Sequence, residues 1–242
     1  MKVHRFSIAH YFFIWVLFLS CAGPMVNHVD SPQLSSVFSD YHNAEAIANR
    51  CLPKDSPNHA TTSAPYALTV NDSYSKNHTT YARVSACLKR PIREAWATLF
   101  TQSTLEWAKV SISEPPSLYP INEFLPPIDY VLKVHYQAGP MIARQHMFVL
   151  WRHAILKGTK NEPDEISVQF DKVYGTEHIP KWVGRIGLLK IRESLTAIIM
   201  EDALTTKLPP FAPEPQAKEI ADGVVDFIHR IQNNAPNWEL IN

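Results

Sequence analysis

Between residues 79 and 89 the chain alternates. Ala82, Val84, Ala86 and Leu88 fall on one side, and Tyr81, Arg83, Ser85, Cys87 and Lys89 on the other. A period of two predicts a strand. At Pro91 the period changes. Ile92, Ala95, Trp96 and Leu99 recur at helical spacing, which predicts a helix over 91–102. Proline suits the first helical turn, where its missing N–H costs no hydrogen bond. Further strand-like runs cover 129–137, 144–157, 165–174, 184–193 and 196–206. In the first, Leu132, Val134 and Tyr136 alternate with Lys133, His135 and Gln137; in the third, Ile166, Val168 and Phe170 share a face. In 144–157, Val149, Trp151, His153 and Ile155 alternate with Phe148, Leu150, Arg152 and Ala154, so both faces are apolar and the inward one stays open. Short turns join these runs, which favours an antiparallel meander. Last, Ile220, Val224, Phe227, Ile228 and Ile231 mark an amphipathic helix over 216–233.

The ends of this pattern are less regular. Residues 22 to about 76 are rich in Ser, Asn, Asp, His, Pro and Thr, with one short helix expected near 40–49. They read as a tether leading to a loosely structured region. The proline-rich 114–127 cannot hold a long regular element. At the N-terminus, Lys2 and Arg5 precede the apolar run 8–19, which ends in Ser20, Cys21, Ala22 and Gly23. That is the pattern of a secretory signal peptide, and the run is too short to span a bilayer core of about 30 Å. Two processing routes are open. The residues ending at Cys21 resemble a bacterial lipobox, with Phe18 a departure from its usual leucine. Alternatively, Ser20 and Ala22 fit an ordinary signal-peptidase site. The organisation expected is therefore a signal peptide with a lipobox over 1–21, a tether over 22–77 and one folded domain over 78–242.

Composition narrows the function. The chain of 242 residues is 45% hydrophobic and 19% charged, with no net formal charge. Loss of Lys2 and Arg5 with the signal leaves a slightly acidic remainder of these 23 basic and 23 acidic residues. Without a clustered basic run there is nothing to meet nucleic-acid phosphates. The cysteines are three. With Cys21 lipidated, Cys51 and Cys87 remain as an even pair, and an exported protein can bridge them. Two free thiols are the alternative.

A strand, a short joint, a helix, a run of antiparallel strands and a closing amphipathic helix resemble the helix-grip fold. This is the START-like, pollen-allergen-like and polyketide-cyclase-like superfamily, SRPBCC. The residues carrying the resemblance are 82–100 with the central Trp96, 168–191, 194–204 and the final helix. The resemblance implies an α+β fold in which a curved antiparallel sheet wraps around the long C-terminal helix. It further implies a space between sheet and helix fit for an apolar ligand. The lining expected is Trp96, Leu132, Val134, Tyr136, Val149, Trp151, Ile166, Val168, Phe170, Ile198, Met200, Val224, Phe227 and Ile228.

Polar candidates for chemistry are His153, Arg152, His135, Asp171, Glu177, His178 and Glu201. His153 beside a carboxylate is the arrangement a cyclase-like base requires. No metal-ligand spacing, phosphate loop or nucleophile elbow occurs, so no cofactor, metal or catalytic residue is assigned. The reading is a non-catalytic binder or carrier of an apolar small molecule or lipid. It is placed at the periplasmic face of the bacterial outer membrane through a lipid on Cys21, with secretion the alternative. A cyclase- or hydratase-like enzyme on the same fold, or a structural lipoprotein with a filled core, are the competing readings.

Overall fold

The computed structural model describes residues 44–52, 65–99, 101, 104, 111–114, 130–138, 145–175, 177–207 and 215–238. The expected signal segment and Cys21 lie outside them, as does most of the proline-rich 114–127 stretch. In chain order the elements are α1 (Ala44–Cys51), β1 (Tyr66–Lys76), β2 (Thr79–Leu88), α2 (Ile92–Thr98), β3 (Ser111–Glu114), β4 (Tyr130–Ala138), β5 (Gln145–Gly158), β6 (Pro163–Gly175), β7 (Lys181–Arg192), β8 (Leu195–Thr205) and α3 (Ala217–Asn233). The strands form one antiparallel sheet in the order β1-β2-β8-β7-β6-β5-β4-β3. The meander β4 to β8 stands within a few residues of the runs that alternation predicted. β8 then returns to pair with β2, which ties the early strand to the late ones.

The inward face is set by register. Val84, Met200, Ile186, Val168 and His153 form one row across β2, β8, β7, β6 and β5. This settles the face of β5: Val149, Trp151 and His153 point inward with the apolar cluster, while Phe148, Leu150, Arg152 and Ala154 lie on the outer face. α3 lies on the inner face with Ala221, Val224, Phe227, Ile228 and Ile231 buried. Burying each of the larger ones stabilises the fold by about 1.5–3 kcal/mol.

The Lys-Arg-Pro joint between β2 and α2 has a structural task. Arg90 Nη1 donates to the carbonyls of Ile231 and, at 2.8 Å, Asn234, and to Thr98 Oγ1 at 3.1 Å. The Lys89 amide donates to Gln232 Oε1 at 2.8 Å. One cation therefore collects carbonyls that the end of α3 leaves without helical partners. α2 is shorter than the expected 91–102. The Thr98 hydroxyl bonds back to the Glu94 carbonyl at 2.7 Å, and Thr101 and Thr104 pair through their hydroxyls at 2.6 Å. Such local bonds compete with helix continuation.

The region expected to be loose before residue 78 holds two elements that pack on the sheet. β1 extends the sheet to Tyr66, so the folded unit begins earlier than the pattern placed it. It joins β2 through Asn77 and His78, both at positive φ, the backbone of a two-residue hairpin turn. Its ladder is broken twice, between Tyr66 and Thr69 and between Val70 and Asp72. α1 lies on the outer face. There Ile47 and Cys51 cluster with Cys87, Leu195, Ala197 and Ile199, and a disulfide joins Cys51 to Cys87 across a separation of 36 residues.

Candidate functional site

All fourteen residues expected to line an interior space fall in one buried cluster between the sheet and the helices. The sheet supplies ten of them from β4, β5, β6 and β8, α3 supplies Val224, Phe227 and Ile228, and α2 supplies Trp96. The ten on strands share the core because each strand turns one face inward. The cluster also contains Trp182, Ile186 and Leu188 of β7. Their signal was present in the alternation of 182–188 but was diluted by Gly184 and Gly187.

Gly184 itself has a packing reason. A Cβ there would lie 2.2 Å from Cζ of Phe170 and 2.4 Å from the Glu201 carbonyl oxygen. The ring of Phe170 occupies the place of the missing side chain. From it an aromatic belt extends, with Trp151 stacked on Phe170 at 4.5 Å, and Trp182 edge-on to both Phe170 at 5.6 Å and Tyr136 at 5.3 Å. Offset and edge contacts of this kind add about 0.5–1.5 kcal/mol each beyond their area.

The polar candidates separate. Arg152 pairs with Asp171, and Glu201 bridges Arg83 and Arg185, all on the outer face. His135 stacks on Phe148 at 4.3 Å and meets His146 at 3.1 Å on that same outer face. Glu177 and His178 occupy the turn between β6 and β7, where the His178 carbonyl accepts from the Lys207 amide. Of the residues weighed for chemistry, only His153 reaches the interior. Its Nδ1 accepts from Trp96 Nε1 at 2.8 Å, which fixes the proton of the neutral ring on Nε2. Burial pushes its pKa down to about 3, so the ring is neutral at physiological pH.

The inner face carries two ionisable residues that the sequence reading did not select. Asp202 shares the parity of Ile198 and Met200 and opposes Gly184 and Ala82. Its Oδ1 accepts from Trp182 Nε1 at 2.8 Å. Burial raises its carboxyl to about 7, against the opposing pull of the Trp182 and Ala203 N–H groups. The charge of Asp202 reaches Tyr136, whose hydroxyl is pushed well above its usual range by burial. Lys172 opposes Val149, and its ammonium donates to the Ile179 carbonyl; burial lowers it to about 8. An acid at an apolar-parity position, as in the run 196–206, was the available signal. Among the described residues no group of three or more His, Cys, Asp or Glu is placed to hold a metal ion, and no helix is long and apolar enough to cross a membrane.

No protein-family profile matches the chain, and no curated protein matches it. Solved structures share its outline at low identity. The Zhui aromatase/cyclase from a Streptomyces species matches with TM-score 0.44 and 9% identity, over 64% of this chain and 92% of that one. The human StarD13 lipid transfer and protein localization domain matches with TM-score 0.43 and 12% identity, over 67% and 87%. A START superfamily protein from Mycobacterium smegmatis matches with TM-score 0.36 and 13% identity, over 63% and 94%. Likenesses this distant transfer no property to the chain.

Proposed function

We propose that the protein binds or carries an apolar ligand, without covalent chemistry, in the cell envelope. The observation that supports this reading best is the convergence of all fourteen expected lining residues in one buried cluster between the sheet and the helices. Among the inner-face groups, Tyr136, Lys172, Trp182 and Asp202 lie toward one end, and His153, held by Trp96, lies in the row of Met200. Arg152, Asp171, Glu201 and His135 face away. A mostly apolar interior with a few polar groups suits an amphipathic molecule held by burial. The Cys51–Cys87 bridge is in keeping with an oxidising compartment, and hence with export. On this proposal the segment 1–21 directs secretion, and a lipid on Cys21 holds the protein at the periplasmic face of the outer membrane.

The test is native mass spectrometry of the protein purified from its own membrane, followed by organic extraction. The expected result is a co-purifying apolar molecule and saturable binding of fluorescent fatty acids or sterols. Recovery of no small molecule together with no binding of either probe overturns the reading.

A further inference from the structure

The outer face carries a pair of imidazoles that the interior does not use. On β4, His135 stands opposite Phe148; on β5, His146 stands opposite Gln137, so the two histidines are diagonal neighbours across one ladder. Both are half-buried. His135 Nε2 and His146 Nδ1 lie 3.1 Å apart. The ring of His135 is held in plane by Phe148, stacked on it at 4.3 Å with an interplanar angle of 7°. Two rigid strands and one aromatic stack therefore fix where these nitrogens point.

That separation is one at which a single ion can be shared. Nitrogens each about 2.0–2.1 Å from a metal stand about 2.9 Å apart at a right angle and about 3.3 Å apart at the tetrahedral angle. We propose that His135 Nε2 and His146 Nδ1 chelate one borderline divalent transition ion, zinc(II) or copper(II), with water in its remaining positions. The donors choose the metal. Among the described residues no third His, Cys, Asp or Glu joins the pair to hold an ion. Calcium and magnesium, which take oxygen ligands, find nothing here, whereas imidazole suits zinc and copper. Lys133 reaches the ring of Phe148, with Nζ 5.2 Å from its centroid. Its charge opposes any cation held by charge alone and so sharpens the preference for ions bound through nitrogen lone pairs. Burial and the neighbouring His146 ring hold His135 below its usual pKa, which keeps it in the neutral form that binds metal. The hydrogen shared between the two nitrogens moves to the far nitrogen of its own ring as the ion enters, so the neutral pair loses no proton. The bound ion ties β4 to the second residue of β5, independently of the apolar-ligand reading above.

The test titrates zinc chloride into the full-length protein at pH 7.5 by calorimetry, in a buffer free of chelators. The expected result is one ion per chain, bound at least about tenfold more weakly in His135→Gln and in His146→Gln. These variants keep a side chain able to form hydrogen bonds. His229→Gln, on α3, is expected to leave the affinity unchanged, and magnesium chloride is expected to give no heat of binding. Wild-type protein loaded with one equivalent of copper(II) is expected to show coupling to two imidazole nitrogens in its electron paramagnetic resonance spectrum. Zinc not bound by wild type, or bound equally well by either histidine variant, overturns the chelate. If a variant does not fold, copper coupled to fewer than two imidazole nitrogens in wild type overturns it instead.

Discussion

Two buried titratable side chains give the interior opposite responses to pH. Asp202 is protonated more readily when folded, since burial raises it from 3.8 to about 7. Its folded state is favoured most below the unfolded value, and that advantage is lost as pH rises through about 7. His153 behaves in reverse: its folded value near 3 lies below the ordinary 6.5, so stability present above pH 6.5 is lost as pH falls toward 3. Asp202→Asn removes the first response and keeps an acceptor for Trp182. In urea unfolding the variant is expected to gain on wild type between pH 5 and pH 8 by on the order of 3 kcal/mol; a constant difference across that range would refute the assignment. Asp202 was legible in the sequence only as an anomaly of parity, an acid in step with Ile198 and Met200. His153 could be placed inside only once register had chosen between the two apolar faces of its strand.

Among the elements, the strands with one face in the core were legible, because Leu132, Val134 and Tyr136, or Ile166, Val168 and Phe170, announce the period directly. β1 was not. Most of its side chains are exposed, Asn, Asp and Ser replace an apolar stripe, and its turn is built from Asn77 and His78 rather than a glycine pair. α3 was legible as a helix, but its terminal support was not, since Arg90 lies more than 140 residues away in sequence from the carbonyls it collects. Arg90→Met keeps much of the aliphatic bulk and removes those bonds. It is expected to cost about 2–3 kcal/mol in denaturant unfolding, with faster hydrogen exchange in the last turn of α3. A loss below about 0.5 kcal/mol would show that water replaces the guanidinium without penalty.

At the scale of the whole molecule, the sheet is sealed on both sides by different means. Helix burial covers the inner face, and a covalent link holds α1 on part of the outer one. A loop of 36 residues closed by a disulfide removes about 3–4 kcal/mol of unfolded-state entropy. The Cys51→Ser, Cys87→Ser double variant is expected to melt about 5–15 °C lower in calorimetry. A shift under about 2 °C would mean that α1 is held by its apolar contacts alone. The two interruptions in the β1 ladder bear on a different hazard. A sheet that does not close upon itself offers its outermost backbone as a template for another copy of the chain. Because the β1 template is discontinuous, an incoming strand meets mismatched amides after only a few steps, which hinders fibre growth along that edge.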